Sequence, residues 1–451
     1  MVFSGGTKTP KHQNTSTMLQ ETKWVANWGN YPRIKALVAS PASIGEASDF
    51  VRAQPRLIAR GNGKCYGDAA LGSCILSTLS LNRLLAFDAA NGIVHCEAGM
   101  LLADLLQIIL PKNWFFHVTP GIKAITVGGA IACDVHGKNH PEKGCFSNWL
   151  LSFELMGADG QVLSCSRSQN PDLFWQTCGG MGWTGVILSA QFQLMRLPSA
   201  QMQQNTVKAD DLEALFRAFE DKRHWPYAAA WVDCLPKGAN FGRGVAYFAD
   251  HAAKGDATAV SVPRRPRNIS FFAPSWLLNP LSIRMHNYLM YRRAVAGERL
   301  VDLDTYFYPL DRIGNWNRLY GRRGFVQYQF CLPEAFAFDG IRAVLETIQK
   351  SQDTPFLTVL KRHGERPKEA VHSFPIKGYS LALDFPRTQT IPALVDKLDA
   401  LLFKYNGKIY LAKDALSHQL LGRIDPLGYG HEKFESSLKQ RISADEGSHL
   451  G

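Results

Sequence analysis

The sequence predicts an α+β chain of two domains, and three observations carry that expectation. From about residue 30 to 197, β-rich runs alternate with helix-like segments and are punctuated by Gly-dense turns. From about 200 to 400 the pattern changes to strands and amphipathic helices suited to an antiparallel sheet with helices on it. Between the two lies Leu197-Pro198-Ser199-Ala200, a plausible boundary. The expected division is a polar tail over 1–20, a first domain over 21–197, a second over 198–407, and a C-terminal segment over 408–451 that returns to the first domain.

The elements follow in order. Ser43 with Glu46 three residues on, then Ala47, Phe50 and Val51, reads as a capped helix over Ser43 to Ala53. Gly92 to Gly99 reads as a strand, and Leu101 to Leu110 as a helix stopped by Pro111. Phe153 to Leu163 reads as a hairpin turning at Ala158-Asp159-Gly160, and Thr184 to Leu197 as a long β run. In the second half, helices are expected at Asp210–Asp221, near Phe338–Lys350 and at Ile391–Tyr405. Strands are expected at Ala228–Val232, Phe325–Cys331, Phe356–Lys361 and Tyr379–Phe385, and a last one over Lys408 to Asp414, ending in charge.

Composition excludes several classes. No run of about 18 apolar residues exists, so no transmembrane helix is expected. The first twenty residues are polar, so no signal peptide is expected. Nine cysteines are scattered without a Cys-x-x-Cys pair, which signals neither a zinc site nor a redox dithiol. They read as small buried hydrophobes in a reducing compartment, and no metal site is expected. A net charge of +11 favours anionic partners.

Three Gly-rich turns border the first domain. Arg60-Gly61-Asn62-Gly63-Lys64-Cys65-Tyr66-Gly67-Asp68 follows the apolar run Leu57-Ile58-Ala59. Thr126-Val127-Gly128-Gly129-Ala130 comes next, then Cys178 to Val186 with Gly182 and Gly185. Such backbone can approach a ligand closely, and successive N–H groups can form a nest for phosphate oxygens. The first turn is not G-x-G-x-x-G, and no clean amphipathic helix follows it, so a Rossmann site is not indicated. Three loops around one β-rich domain point instead to a large anionic cofactor, inferred to be FAD.

The order of these turns, with Pro120-Gly121 between the first two, resembles the vanillyl-alcohol-oxidase type of flavoprotein, with its PCMH-type FAD-binding fold. More closely, the chain is similar to the FAD-dependent oxidase component of decaprenyl-phosphoryl-ribose 2-epimerase over about residues 25 to 445. The most specific segments are Gly129 to His140, Pro309-Leu310-Asp311, Trp316 to Gly321, Gln327-Tyr328-Gln329-Phe330 and Tyr410-Leu411-Ala412-Lys413-Asp414. The resemblance implies that residues 61–67 and 126–130 wrap the pyrophosphate and ribityl chain, with Arg60, Gly121, Cys133, His136 and Gly137 contributing. It implies that Gly182, Gly185 and Val186 line the adenine end. Lys413 would stand by the N1/C2 edge of the flavin with Tyr410 beside it, and His136 and Gln329 would share the catalytic work. Tyr66, Lys138, Trp231, Gln327, Gln329, Lys361 and Ser380 would bind a sugar phosphate. The bland alternatives are solvated lysines, a polar strand face at Gln327 and Gln329, and a structural histidine at 136.

In this superfamily a His in the first loop often links FAD covalently. Here the loop offers Lys64 and Cys65, so non-covalent FAD is expected, with Cys65 and His136 as the groups able to contradict it. Ala382 and Ser380 stand where relatives in this family carry Cys and Asn, and Phe307 where they carry Tyr. The implied reaction is oxidation of the 2-hydroxyl of a polyprenyl-phosphoryl pentose, with a short-chain NAD(P)-dependent reductase as partner and no nucleic acid. The rivals are an alditol or aldonolactone oxidase acting on a free sugar and a flavin-less prenyl-phosphate carrier. The expected location is cytoplasmic. Arg264 to Arg267 followed by Phe271-Phe272 and Trp276-Leu277-Leu278 reads either as a peripheral membrane contact at the inner face or as a loop over the pocket.

Overall fold

The computed structural model describes residues 18–253, 267–274, 276–417 and 430–446. Three sheets organise it. The first is four-stranded, in the order Leu19–Ala26, Arg33–Ser40, Cys74–Ser77, Ile58–Arg60, with the first pair antiparallel and the others parallel. The second runs Leu84–Asp88, Ile93–Glu97, Val186–Arg196, Leu150–Met156, Val162–Ser166, with Trp114–Phe116 also paired to Val186–Arg196. The third has eight antiparallel strands, in the order Gly297–Asp302, Gln201–Ala209, Gly244–His251, Tyr227–Val232, Leu357–His363, Gly378–Pro386, Phe325–Pro333, Lys408–Ile409.

Local chemistry explains the helices. Ser43 accepts from the Glu46 N–H and starts Ile44–Ala53, while Asp211 accepts from the Ala214 N–H and starts Leu212–Asp221. Pro111 does not stop its helix outright. Leu102–Ile109 tightens into a 3-10 turn over Leu110–Lys112 and ends at Asn113 in the left-handed region. Leu212–Asp221, Glu334–Lys350 and Ile391–Lys404 bury apolar stripes against one face of the eight-stranded sheet.

Two expectations are corrected. The run Lys408 to Asp414 is strand only at Lys408–Ile409, and that short strand extends the eight-stranded sheet beside Phe325–Pro333. The chain then turns, and Ala412 O accepts from the Tyr66 N–H. Residues beyond 430 reach the first domain as well: Leu57 pairs with Phe434, and Arg441 bridges Asp68 and Asp414. The boundary near 197 is a change of sheet and not of core. One apolar cluster unites Ala36, Ile58, Ile75 and Trp183 with Leu215, Phe330 and Leu398, and another joins Phe192 to Met202 and Tyr227.

Register decides what the eight-stranded sheet presents. Gln329 stands opposite Ala382, Ala382 opposite Val359, and Val359 opposite Trp231. Lys361 is opposite Ser380, and Gln327 opposite Asp384. Directly opposed residues share a face, so this row faces away from the helices. The alternate residues Tyr328, Phe330, Leu360, Leu381 and Leu383 form the helix-side core.

Candidate active site

A cavity of about 400 Å³ lies where that polar face meets the Gly-rich turns of the first two sheets. Of the residues singled out from sequence, Arg60 to Tyr66, Gly121, Thr126, Gly128, Gly129, Cys133, His136, Lys138, Gly182, Gly185, Trp231, Gln327, Gln329, Lys361, Ser380, Tyr410 and Lys413 all border it. Gly137 and Val186 do not. A Cβ on Gly137 would meet Asn139 Oδ1 at 2.6 Å and Thr119 O at 3.1 Å, so that glycine serves packing. Val186 is buried in a separate apolar cluster with Phe50 and Leu188.

The two principal Gly turns differ in what their amides do. Among the described residues, the N–H groups of Asn62, Gly63, Lys64 and Cys65 donate to no protein acceptor, and Gly63 sits at φ +60°. That is a nest open to an anion. The second turn is a short helix, Val127–Ala132, capped by Thr126. Its first amides are engaged: Val127 N–H to Met100 O, Gly128 N–H to Ala98 O and Gly129 N–H to Thr126 Oγ1. The second turn therefore offers bare surface and not free donors. Asn62 Nδ2 donates to Ala124 O at 2.8 Å and ties the two together. The Arg60 guanidinium turns back to Asn27, Ala26 O and Ala70 O, under Gly63.

Cations dominate the walls. Among the described residues, Arg60, Lys64, Lys138, Lys361 and Lys413 border the cavity and no Asp or Glu does. Burial pushes Lys64, Lys361 and Lys413 down to about 8 and Lys138 down to about 7, the last with help from Lys361. Lys413 Nζ lies 3.5 Å from the centre of the Tyr66 ring, and Lys64 Nζ lies 3.6 Å from that of Trp28. Lys138 donates to Tyr306 O.

His136 is held well below the ordinary histidine value by burial and by Lys361, so it is neutral. Gln329 Nε2 donates to His136 Nε2 at 3.3 Å, which leaves the ring proton on Nδ1, a buried atom without a protein partner. Tyr410 Oη donates to Cys133 O at 3.0 Å.

Sequence reasoning missed Asp384. It is fully buried, accepts from Gln327 Nε2, and leaves Oδ2 unpartnered; burial lifts its carboxyl to about 7. The i, i+2 alternation from Ser380 through Ala382 was its only signal. Tyr247 also lines the cavity and was not assigned to it, and Phe307, one of the departures from the family, lines it too.

A free anion nest, a bare glycine surface and unpartnered buried polar atoms at His136 and Gln327 suit a large phosphate-bearing cofactor. The FAD binding domain family matches residues 33–166. The chain is 32% identical over 441 residues to decaprenylphosphoryl-beta-D-ribose oxidase of Mycolicibacterium smegmatis, covering 91% of this chain and 94% of that one. It is 30% identical over 182 residues to L-gulonolactone oxidase of Mus musculus, covering 39% and 40%. A D-arabinono-1,4-lactone oxidase, putative by name, from Neurospora crassa shares 26% over 170 residues. Fold, cavity and comparisons together define an FAD-dependent oxidoreductase of the PCMH type that acts on a CH–OH group. The chain belongs to the decaprenylphosphoryl-ribose oxidase family, and the lactone oxidases are distant relatives.

Proposed function

We propose that the chain oxidises the 2-hydroxyl of a polyprenyl-phosphoryl ribose to the 2-keto sugar. This is the first half of an epimerisation feeding arabinose-type cell-envelope glycans, with a short-chain NAD(P)-dependent reductase completing it. The observation that carries the reading is a cavity with five cations and no carboxylate on its walls. The nest beside Lys64 would hold a cofactor pyrophosphate, which leaves Lys138 and Lys361 for a second anion, the substrate phosphodiester. A free alditol or lactone gives those two lysines nothing to neutralise.

When bound, FAD would supply the hydride acceptor. Lys413 supplies positive charge where negative charge develops on reduction, and the Tyr66 ring fixes its ammonium. His136 Nδ1–H and Gln329 orient the reacting hydroxyl, and Gln327 holds a neighbouring one. Lys64 is engaged over Trp28 and Cys65 with Cys133, which supports non-covalent FAD. Denaturation with acid then releases the flavin to the supernatant.

No helix among the described residues is long and apolar enough to cross a membrane. A cytoplasmic protein touching the inner face of the membrane fits the exposure of Phe271, Trp276, Leu281 and Met285, all more than half exposed. Arg264 to Pro266, part of the segment first singled out, lie outside the described residues.

The test is anaerobic bleaching of flavin absorbance. Polyprenyl-phosphoryl ribose should reduce the flavin rapidly and free pentitols should not. The reverse order moves the enzyme to the alditol-oxidase side.

A further inference from the structure

Seven of the nine cysteines are buried, and Cys65 and Cys133 are partly buried. Both border the cavity, and their Sγ atoms lie 3.9 Å apart although the residues are 68 positions apart in sequence. Cys65 belongs to the nest loop, and Cys133 caps the helix Val127–Ala132. The absence of a Cys-x-x-Cys motif had argued against a redox dithiol, and the fold brings one together at long range.

The two thiols are unequal. The contact with Cys133 lowers Cys65 against the effect of burial, and the Lys413 ammonium and Arg60 guanidinium add to this. The same contact and burial hold Cys133 well above the ordinary thiol value. By contrast, burial pushes Cys96, Cys234 and Cys331 up to about 12, where they are inert. A low thiol in contact with a high one is the arrangement of an attacking and a resolving cysteine.

We propose that Cys65 and Cys133 are a peroxide-reactive pair that closes to a disulfide between the two loops cradling the cofactor. The Cys65 thiolate attacks one oxygen of hydrogen peroxide and the O–O bond breaks. The departing hydroxide takes a proton and leaves as water, and Cys65 becomes a sulfenic acid. The Cys133 sulfur then attacks the Cys65 sulfur, the S–O bond breaks, and the hydroxyl leaves with the Cys133 proton as a second water. The sulfur pair loses two electrons and the peroxide gains them. The sulfurs must close from 3.9 Å to about 2.05 Å. The bond then fixes the separation of the nest loop from the helix.

The test uses the FAD-loaded protein, treated with hydrogen peroxide, denatured and alkylated. Two of nine thiols should escape alkylation, and the mass of the protein before alkylation should fall by about 2 Da. A peptide pair joined through Cys65 and Cys133 should appear, and dithiothreitol should restore both thiols. In C133S, dimedone should label Cys65, because the sulfenic acid has no resolving partner. C65S should lose no thiol. Nine alkylatable thiols after peroxide treatment would overturn the proposal. So would Cys65 passing to sulfinic acid in the wild type while Cys133 stays free. A folded, flavin-bearing spectrum for both variants separates these results from misfolding.

Discussion

Lys413 is the residue on which most of the proposed chemistry converges. It is buried with its ammonium over Tyr66, and Asp384 is the largest influence holding the ammonium charged against burial. K413A should lower kcat by about 100-fold or more, the usual loss of a preorganised charge. FAD should remain bound, as judged by absorbance after desalting. Retained turnover would remove Lys413 from catalysis. The sign of the pH effect follows from its lowered value of about 8. The group is protonated below that pH and loses its charge above it, so kcat should fall as pH rises through about 8. D384N removes the carboxylate that favours the ammonium. It should move that alkaline limb to lower pH, which a kcat–pH profile reads directly. None of this pairing was legible at the residue scale. Gln327 and Gln329 announced a shared face by spacing, but Asp384 meets them only through register across fifty-seven positions.

At the scale of elements, the first Gly loop is where sequence and structure meet most closely. Gly63 holds φ +60°, and a Cβ there would fall 2.1 Å from Arg60 Nη2. G63A therefore costs about 1–2 kcal/mol of backbone strain before the clash is counted. It should weaken FAD binding by about tenfold or more, measured by fluorescence titration of the apoprotein. An unchanged affinity would mean that the nest does not hold the cofactor. Gly67 reports on a different element. Its Cβ would stand 1.6 Å from Asp414 O, so G67A should unseat the 410–415 turn from Tyr66. A loss of about 3 kcal/mol in a denaturant titration is expected. Caps and alternation made most elements readable, because Ser43, Asp211 and the 153–163 hairpin carry local signals. The second Gly turn was misread as a nest. Two glycines lower helix propensity, yet Thr126 caps a helix whose amides Ala98 and Met100 consume. The run after Ile409 is apolar enough for a strand. Tyr410 and Ala412 spend their backbone groups on Gln329 and Tyr66 instead, a choice made by distant partners.

At the scale of the molecule, charge and apolar exposure are concentrated together. Between Asp256 and Glu298 there is no acidic residue, and there are six arginines. The helix Pro280–Arg293 in this stretch buries only Ile283 and Asn287, while Leu281 is 75% and Met285 58% exposed. Arg284, Arg292 and Arg293 are exposed on the same helix. The helix is anchored next to the cavity: Asn287 Nδ2 donates to Asp233 at 2.8 Å, and the His286 ring centre lies 5.0 Å from that of Phe356, adjacent to cavity-lining Leu357. The proposed lipid-borne phosphosugar would reach this cavity from a bilayer, and each arginine near an anionic surface contributes about 1 kcal/mol. The protein should therefore co-sediment with phosphatidylglycerol vesicles far more than with phosphatidylcholine vesicles, and high salt should release it. The triple variant W276S/L281S/M285S should lose vesicle binding while its flavin spectrum is unchanged, since none of the three lines the cavity. Its turnover should fall with substrate in vesicles and hold with a short-chain, detergent-free analogue. Equal binding to both lipids, or none to either, would leave this surface without a membrane role. The cavity chemistry would stand unaffected, because it rests on residues of the opposite strand face and the Gly loops.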